Sequence, residues 1–352
     1  MRKITNECQC YTIFFVNFFE VVMMYLRDQH CCGELDELYL YLLFKGSGLQ
    51  IICMRLLVFI CFLVPAISIA APSKGDWSHQ VAEGLEGISG FEPKQERKLL
   101  VYSVTRGYRH KSIPTGLEAM RLMGEKTGAF KVVISDDMAN FEPGTIDQFD
   151  AICFLNTTKD VFKPANKEWK KMTPPEKERA REKELRLQKS LMDFLKGGKG
   201  FIGIHAATDT YYSWSEYGEM IGGYFDGHPW NAGTPVSIMV EKGQEDHACC
   251  AHLEGKNLNF KEEIYQFKAP YDPKKLHILL KLDPEQTDLS KGKRPDESYG
   301  VSWVKHHGKG RVFYSSLGHN DHVFANPKVL EHYLRGIQWA LGDIEAEVKI
   351  GE

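Results

Sequence analysis

The chain is nearly free of cysteine where it reads as a folded domain. Nine cysteines occur in 352 residues, but Cys8, Cys10, Cys31, Cys32, Cys53 and Cys61 precede the domain, which keeps only Cys153, Cys249 and Cys250. So few thiols exclude a disulfide framework. Adjacent Cys249 and Cys250 do not make a zinc spacing, and Cys153 in an apolar run reads as core. There is no CxxC pair and no HExxH, so any metal site must be assembled in space rather than along the chain. Charge of one sign is also missing. The net charge of −3 leaves no electrostatic footprint for nucleic acid. No internal repeat is visible, and 43% hydrophobic with 26% charged residues is ordinary globular composition. The glycines of GGKGFIG (197–203) precede a strand instead of following it, so they cannot cradle a pyrophosphate at a helix start.

The one pronounced apolar run is MRLLVFICFLVPAISIAA, Met54–Ala71. Arg55, the short run Leu56–Val64, Pro65 and the small residues Ser68-Ile69-Ala70 have the layout of a secretory signal, and the run is too short for a comfortable membrane span. The expectation is a start at Met54, with 1–53 an over-extended N-terminus, 54–71 a signal peptide and the mature protein secreted or periplasmic. A genuine N-terminal region anchored by Tyr11–Leu26 is the alternative.

Residues 72–97 read as a polar linker or a loose first turn. A domain follows over 98–342, then a tail over 343–352. Strands are expected at Lys98–Val104, Phe130–Ser135, Ala151–Leu155, Phe201–Ile204 and Arg311–Ser315. Helices are expected at Pro114–Lys126, through Leu187, Leu191 and Leu195 up to Gly197, and at Asn326–Leu341. This alternation predicts an α/β fold, with a mostly parallel sheet covered on both faces. The segments Val236–Val240, Glu263–Phe267, His277–Leu282 and Gly300–Lys305 predict an added antiparallel stretch. Lys159–Glu184 is highly charged and reads as a solvated excursion running into a helix; a scaffold role for it is the weaker reading.

In parallel sheets the site lies beyond the carboxyl ends of the strands. His110 and Arg109 follow the first strand, Asn156 the third, His205 and Asp209 the fourth, and His319, Asn320 and Asp321 the last. Each histidine alone is a packing residue. Three at the ends of three strands expected side by side indicate a site, either ligating a borderline metal or moving protons. Of Glu262 and Glu263, one is expected to supply a carboxylate and the other to be a solvated charge. Aromatics at Tyr211, Tyr212, Trp214, Tyr224 and Trp230 surround His228 in sequence and suit sugar rings. His247 and His252 read as structural.

RGYRHKSI, GKGFIGIHAATDTYYSWSEYGEMIGGYFDGHPW, EEIYQF and GKGRVFYSSLGHND, in this order, resemble the ThuA-like (trehalose utilisation) family over about Lys98 to Gly342. That resemblance implies a three-layer α/β/α, flavodoxin-like sandwich of the class I glutamine amidotransferase-like kind. In such amidotransferases a nucleophilic cysteine occupies a strand-to-helix elbow. Here Gly203-Ile204-His205 puts a histidine at that place, which excludes glutamine hydrolysis through a thioester.

The resemblance further implies a strand-end pocket built from His110, His205, Glu263 and His319, with a divalent metal, zinc or similar, as candidate cofactor. Sugar metabolism is the implied setting, on trehalose-related or oxidised disaccharides by hydrolase or lyase chemistry. The expected roles are His205, His319, Asp209 and His228 in catalysis, and Arg109, Tyr211, Tyr212, Trp214, Trp230 and Asn320 in substrate binding. Without a metal, His205 would be general base and His319 its acid partner. The competing reading is a non-catalytic carbohydrate-binding module. Expected partners are a small-molecule carbohydrate and no nucleic acid; no stable membrane span is expected after signal cleavage, and a homo-oligomer is compatible with the sequence.

Overall fold

The computed structural model describes residues 76–349. The expected signal at 54–71 and the segment 1–53 lie outside the described residues. A nine-stranded sheet organises the rest. Its strands are β1 (Lys98–Tyr102), β2 (Lys131–Ile134), β3 (Ala151–Leu155), β4 (Gly200–Ile204), β6 (Pro235–Val240), β7 (Leu258–Lys261), β9 (His277–Leu282), β10 (Gly300–His307) and β11 (Gly310–Ser315). The strand order is β2-β1-β3-β4-β11-β10-β9-β6-β7. From β2 to β11 every pairing is parallel; from β11 to β7 every pairing is antiparallel. The parallel half has the flavodoxin-like order, in which the chain reverses direction of winding between β1 and β3. A separate ribbon pairs β5 (Tyr224–Phe225) with β8 (Phe267–Lys268).

Strand side chains alternate between faces, and the central strands are apolar at both parities. Leu99 and Val101 join one core with α2 (Ile113–Thr127) and α6 (Pro327–Leu341), while Leu100 and Tyr102 join the other with α4 (Pro174–Lys196) and α5 (Ser215–Ile221). Two buried faces explain why these strands read as continuous apolar runs, and they give the three-layer α/β/α sandwich. Pro at the first turn and left-handed glycines at Gly128 and Gly342 delimit α2 and α6, as capping chemistry requires. Among the described residues no helix is long and apolar enough to cross a membrane.

Four expectations are corrected. The stretch read as a linker carries α1 (Ser78–Gly84), whose Val81 and following Leu85 are buried in the core; seven residues are too few for their period to show against polar flanks. Of the tail, Asp343 accepts from Arg97 Nε at 2.9 Å, Ile344 is buried, and the Lys349 amide donates to His277 Nδ1 at 2.7 Å. Of Glu263–Phe267 only Phe267, the first residue of β8, is in a strand. The segment crosses the strand ends between β7 and β8, held by one bridge between Ile264 and Trp230 and by the Tyr265 amide donating to Ser316 Oγ. Glu262 through Phe267 are buried without a break, and such a run reads as a strand in sequence whether or not it pairs. The strands preceding the three histidines are β1, β4 and β11, and β3 stands between the first two.

His332, on α6, is buried and bonded on both ring nitrogens, to the Cys249 carbonyl at 2.9 Å and to Ser302 Oγ at 2.8 Å. Burial, helped by His252, pushes its pKa down to about 3. The unfolded chain, with an ordinary histidine, therefore binds more protons between pH about 6.5 and 3, and stability falls as pH drops through that window by up to ~1.4 kcal/mol per pH unit. Thermal unfolding from pH 7 to pH 4 is expected to show a falling melting temperature, with a shallower slope in His332→Gln. Equal slopes in the two proteins would refute this assignment.

Candidate metal centre

β4 delivers His205 to the elbow. Its backbone adopts φ +49°, an uncommon conformation for a residue with a Cβ, and a 3-10 turn over His205–Asp209 follows. The conformation is held from outside. Tyr314 Oη donates to the His205 carbonyl at 2.8 Å, and His205 Nδ1 donates to the Ser316 carbonyl at 2.6 Å. A Cβ on Gly203 would lie 3.0 Å from both the Ile221 and Tyr314 side chains, so glycine permits the close packing beneath the turn. With Nδ1 committed to a carbonyl, the free lone pair of the neutral ring is on Nε2.

The loop after β11 brings His319. It wraps the carboxylate of Glu262, which accepts from the amides of Gly318 at 3.0 Å, His319 at 2.6 Å and Asn320 at 3.2 Å. Glu262 is wholly buried; burial raises its pKa to about 7 against the pull of those amides. The loop after β1 brings His110 and is tied down by Ser112, whose hydroxyl donates to the Gly318 carbonyl at 2.8 Å. Asn156, at the end of β3 with φ +52°, joins the loops. Its Nδ2 donates to Ser112 Oγ at 3.2 Å and to the Gly318 carbonyl at 3.1 Å, and its Oδ1 faces the Ala206 amide at 3.4 Å.

Glu263 completes the group. Its Oε1 lies 3.0 Å from His319 Nδ1 and 3.7 Å from His205 Nε2, and its Oε2 lies 3.6 Å from His228 Nδ1. One ligand atom each from His110, His205, Glu263 and His319 falls within 4.8 Å of the others. His110 Nδ1 and His205 Nε2 are buried with no hydrogen bond, and His319 Nδ1 meets the Glu263 carboxylate at 3.0 Å. Buried nitrogens without partners are costly, and a cation shared by this group would take up their lone pairs. Donors sharing a zinc-like ion at bond lengths near 2.1 Å lie about 3–4 Å apart, as the two measured Glu263 distances do.

Two of the three imidazoles are held in the state that this use requires. Burial, reinforced by neighbouring imidazoles, pushes His110 down to about 3 and His205 well below the ordinary histidine range. Both keep a lone pair at neutral pH. Burial also pulls His319 down, but Glu263 outweighs it and the net shift is upward. Three nitrogens and one carboxylate oxygen suit zinc or a similar borderline divalent ion. Among the described residues this is the one such group of three or more side chains. It is the set expected from the sequence. Neither glutamate is a solvated charge, contrary to expectation: Glu263 faces the histidines and Glu262 positions the loop.

The other expected site residues separate. His228 is half exposed beside Glu263, at the rim. Arg109 is exposed, next to Tyr108, whose ring is edge-on to His110 with centroids 4.8 Å apart. Asp209 is engaged: Lys159 Nζ donates to it at 2.8 Å and Tyr212 Oη also donates to it. Tyr211 and Trp230 are core residues with no exposed face. Tyr211 Oη accepts from the Phe162 amide, and Trp230 Nε1 donates to the Asp288 carbonyl. Trp214 packs edge-on against Tyr211. Asn320 is a loop tie, donating to the carbonyls of Ala232 and Lys261. The sequence reading passed over Glu262 and Asn156 as positioning residues. Asn156 carried the same strand-end signal as the histidines; nothing local marked Glu262.

Comparison with known proteins agrees with this architecture. A ThuA-like protein from Bacteroides uniformis superposes with a TM-score of 0.51 at 18% identity, covering 71% of this chain and 93% of that one. A ThuA-like protein from Parabacteroides merdae gives 0.49 at 16% identity, over 72% and 93%. At such identities the likeness concerns the fold. No curated protein matches the chain. The sequence profile of the ThuA family, described as trehalose utilisation, matches residues 98–172 and 180–340, most of the domain, with His110, His205, Glu263 and His319 among them. The chain belongs to the ThuA family.

Proposed function

We propose that the protein is a metal-dependent enzyme acting on a sugar, a trehalose-related or oxidised disaccharide, by hydrolase or lyase chemistry. The observation that carries this reading is the convergence of three buried imidazoles, two of them with a ring nitrogen that has no partner, with the Glu263 carboxylate. His110, His205, His319 and Glu263 would hold a divalent ion, which in such a setting polarises a carbonyl or activates water. His205 presents Nε2 because Ser316 holds Nδ1, an outer contact of the kind that fixes ring orientation at metal sites. His228, half exposed and 3.6 Å from Glu263, is placed to move a proton between substrate and solvent. Arg109 is free to orient a substrate. Asp209 is bound to Lys159 and Tyr212, so the proton-transfer role rests on His228.

The elbow excludes a thioester route. No cysteine stands there, and Cys153, Cys249 and Cys250 are buried with thiol pKa values pushed up by burial. His205 is a poor general base at neutral pH, since burial holds its pKa far below the working range. That favours ligation over the metal-free scheme. The binding-module reading loses support because Tyr211 and Trp230 are core. Export rests on the Met54–Ala71 pattern; an N-terminal peptide of the native protein mapping upstream of Met54 would refute it.

Elemental analysis of the purified protein is expected to give close to one equivalent of a divalent transition metal, with loss of most of it in His205→Ala and His319→Ala. Folded parent protein that stays empty after reloading contradicts the proposal, as does full turnover by His205→Ala. Glu262→Gln replaces the acceptor of the His319 loop amides by a group with one oxygen. Metal affinity is expected to fall about 10- to 100-fold, as for other outer-contact losses, with far-UV circular dichroism unchanged. Unchanged affinity would remove Glu262 from the positioning role.

A further inference from the structure

Beside the metal centre lies a cavity of about 580 Å³, lined by Lys159, Tyr212, Tyr224, Phe225, Asp226 and Lys268 among others. None of its lining residues is a metal donor. It is one ring away from them, because Phe225 packs against Tyr265 at 4.4 Å and Tyr265 packs over His205 at 4.3 Å, centroid to centroid. The size is that of a small-molecule site.

Two ammonium groups face this space, and both are positioned. Lys159 and Lys268 place Nζ 4.5 and 4.6 Å from the centroid of the Tyr212 ring, within cation–π range. Lys159 adopts φ +61°, costly for a lysine. Its backbone is pinned by its own amide on the Asp209 carbonyl at 2.7 Å and by the Tyr211 amide on its carbonyl at 3.3 Å. Lys268 pairs directly with Tyr224 across the β5–β8 ribbon, which puts both side chains on one face. The charges are unevenly matched. Lys159 has Asp209 at 2.8 Å, whereas among the described residues no carboxylate ion-pairs with Lys268 within 4.0 Å. Asp226, also in the lining, is an acceptor for hydroxyls.

We propose that this cavity is a subsite for an acidic sugar, in which Lys268, assisted by Lys159, holds a carboxylate or phosphate substituent while the Phe225 ring packs against the sugar's C–H face. The proposal names the substrate class for the sugar-directed reading above and rests on it only for the sugar. The anion site itself does not need the metal. An ammonium pair suits a compact anion, and an aromatic wall suits a pyranose face.

The test is titration calorimetry on the full chain at low salt, with glucose, glucuronate, glucose 6-phosphate and inorganic phosphate as probes. The chain is used as purified, after chelation, and as His205→Ala and Lys268→Met. Glucuronate or glucose 6-phosphate is expected to bind at least about tenfold more tightly than glucose, the scale of one charged hydrogen bond. Binding should weaken as salt is raised. It should survive chelation and His205→Ala, so failure of the metal reading would leave it intact. The two acidic sugars against each other decide between carboxylate and phosphate. Lys268→Met, at an exposed position, is expected to abolish the preference without moving the melting temperature of the free protein. Equal affinity for glucose and both acidic sugars overturns the proposal, as does an undiminished preference in Lys268→Met. Inorganic phosphate binding as tightly as the acidic sugars removes the sugar from it.

Discussion

The buried carboxylate of Glu262, closed in by the amides of Gly318, His319 and Asn320, fixes the geometry on which the site depends. It joins two pieces of chain that the sheet alone would leave independent, the segment crossing the strand ends after β7 and the loop leaving β11. Glu263 is the next residue of the first piece and His319 lies within the second. One desolvated charge, satisfied by three N–H groups, thus sets the 3.0 Å approach of Glu263 to His319. Asn156 does the corresponding work for the β1 loop and the β4 elbow. Such a network is costly if one member is lost and rigid when complete.

Chemistry at the elbow follows from the same rigidity. A tight strand-to-turn junction displays whatever side chain it carries at the carboxyl edge of the sheet. A thiol displayed there can be a nucleophile. An imidazole held at Nδ1 by a carbonyl and surrounded by two further imidazoles and a carboxylate is instead a neutral lone-pair donor. The burial that lowers the pKa of His205 and His110 spoils them as bases and suits them as ligands.

Much of the parallel half of the sheet was legible in the sequence because its strands are buried on both faces and bounded by glycine and helix signals. β3 and β4 fall where the apolar runs place them, and α4 ends at Gly197 as expected. The four clustered residues, His110, His205, Glu263 and His319, were legible because each follows a strand or sits in a motif shared with the family. What failed was tertiary in origin. Tyr211 and Trp230 look like platform aromatics in sequence, yet packing takes them inside. Glu262 looks like a surface charge beside a functional neighbour, and only the returning β11 loop shows why it is buried. The helix at Ser78–Gly84 and the anchored tail owe their order to contacts with distant residues, which local pattern does not carry.

The central claim is that His110, His205, His319 and Glu263 share one ion. X-ray absorption on the full chain loaded with one equivalent of zinc tests it most directly. The account predicts about three imidazole nitrogens and at least one oxygen at roughly 2.0–2.2 Å, with one imidazole fewer in His319→Ala. A first shell of oxygen alone, or a spectrum unchanged by that substitution, would contradict it.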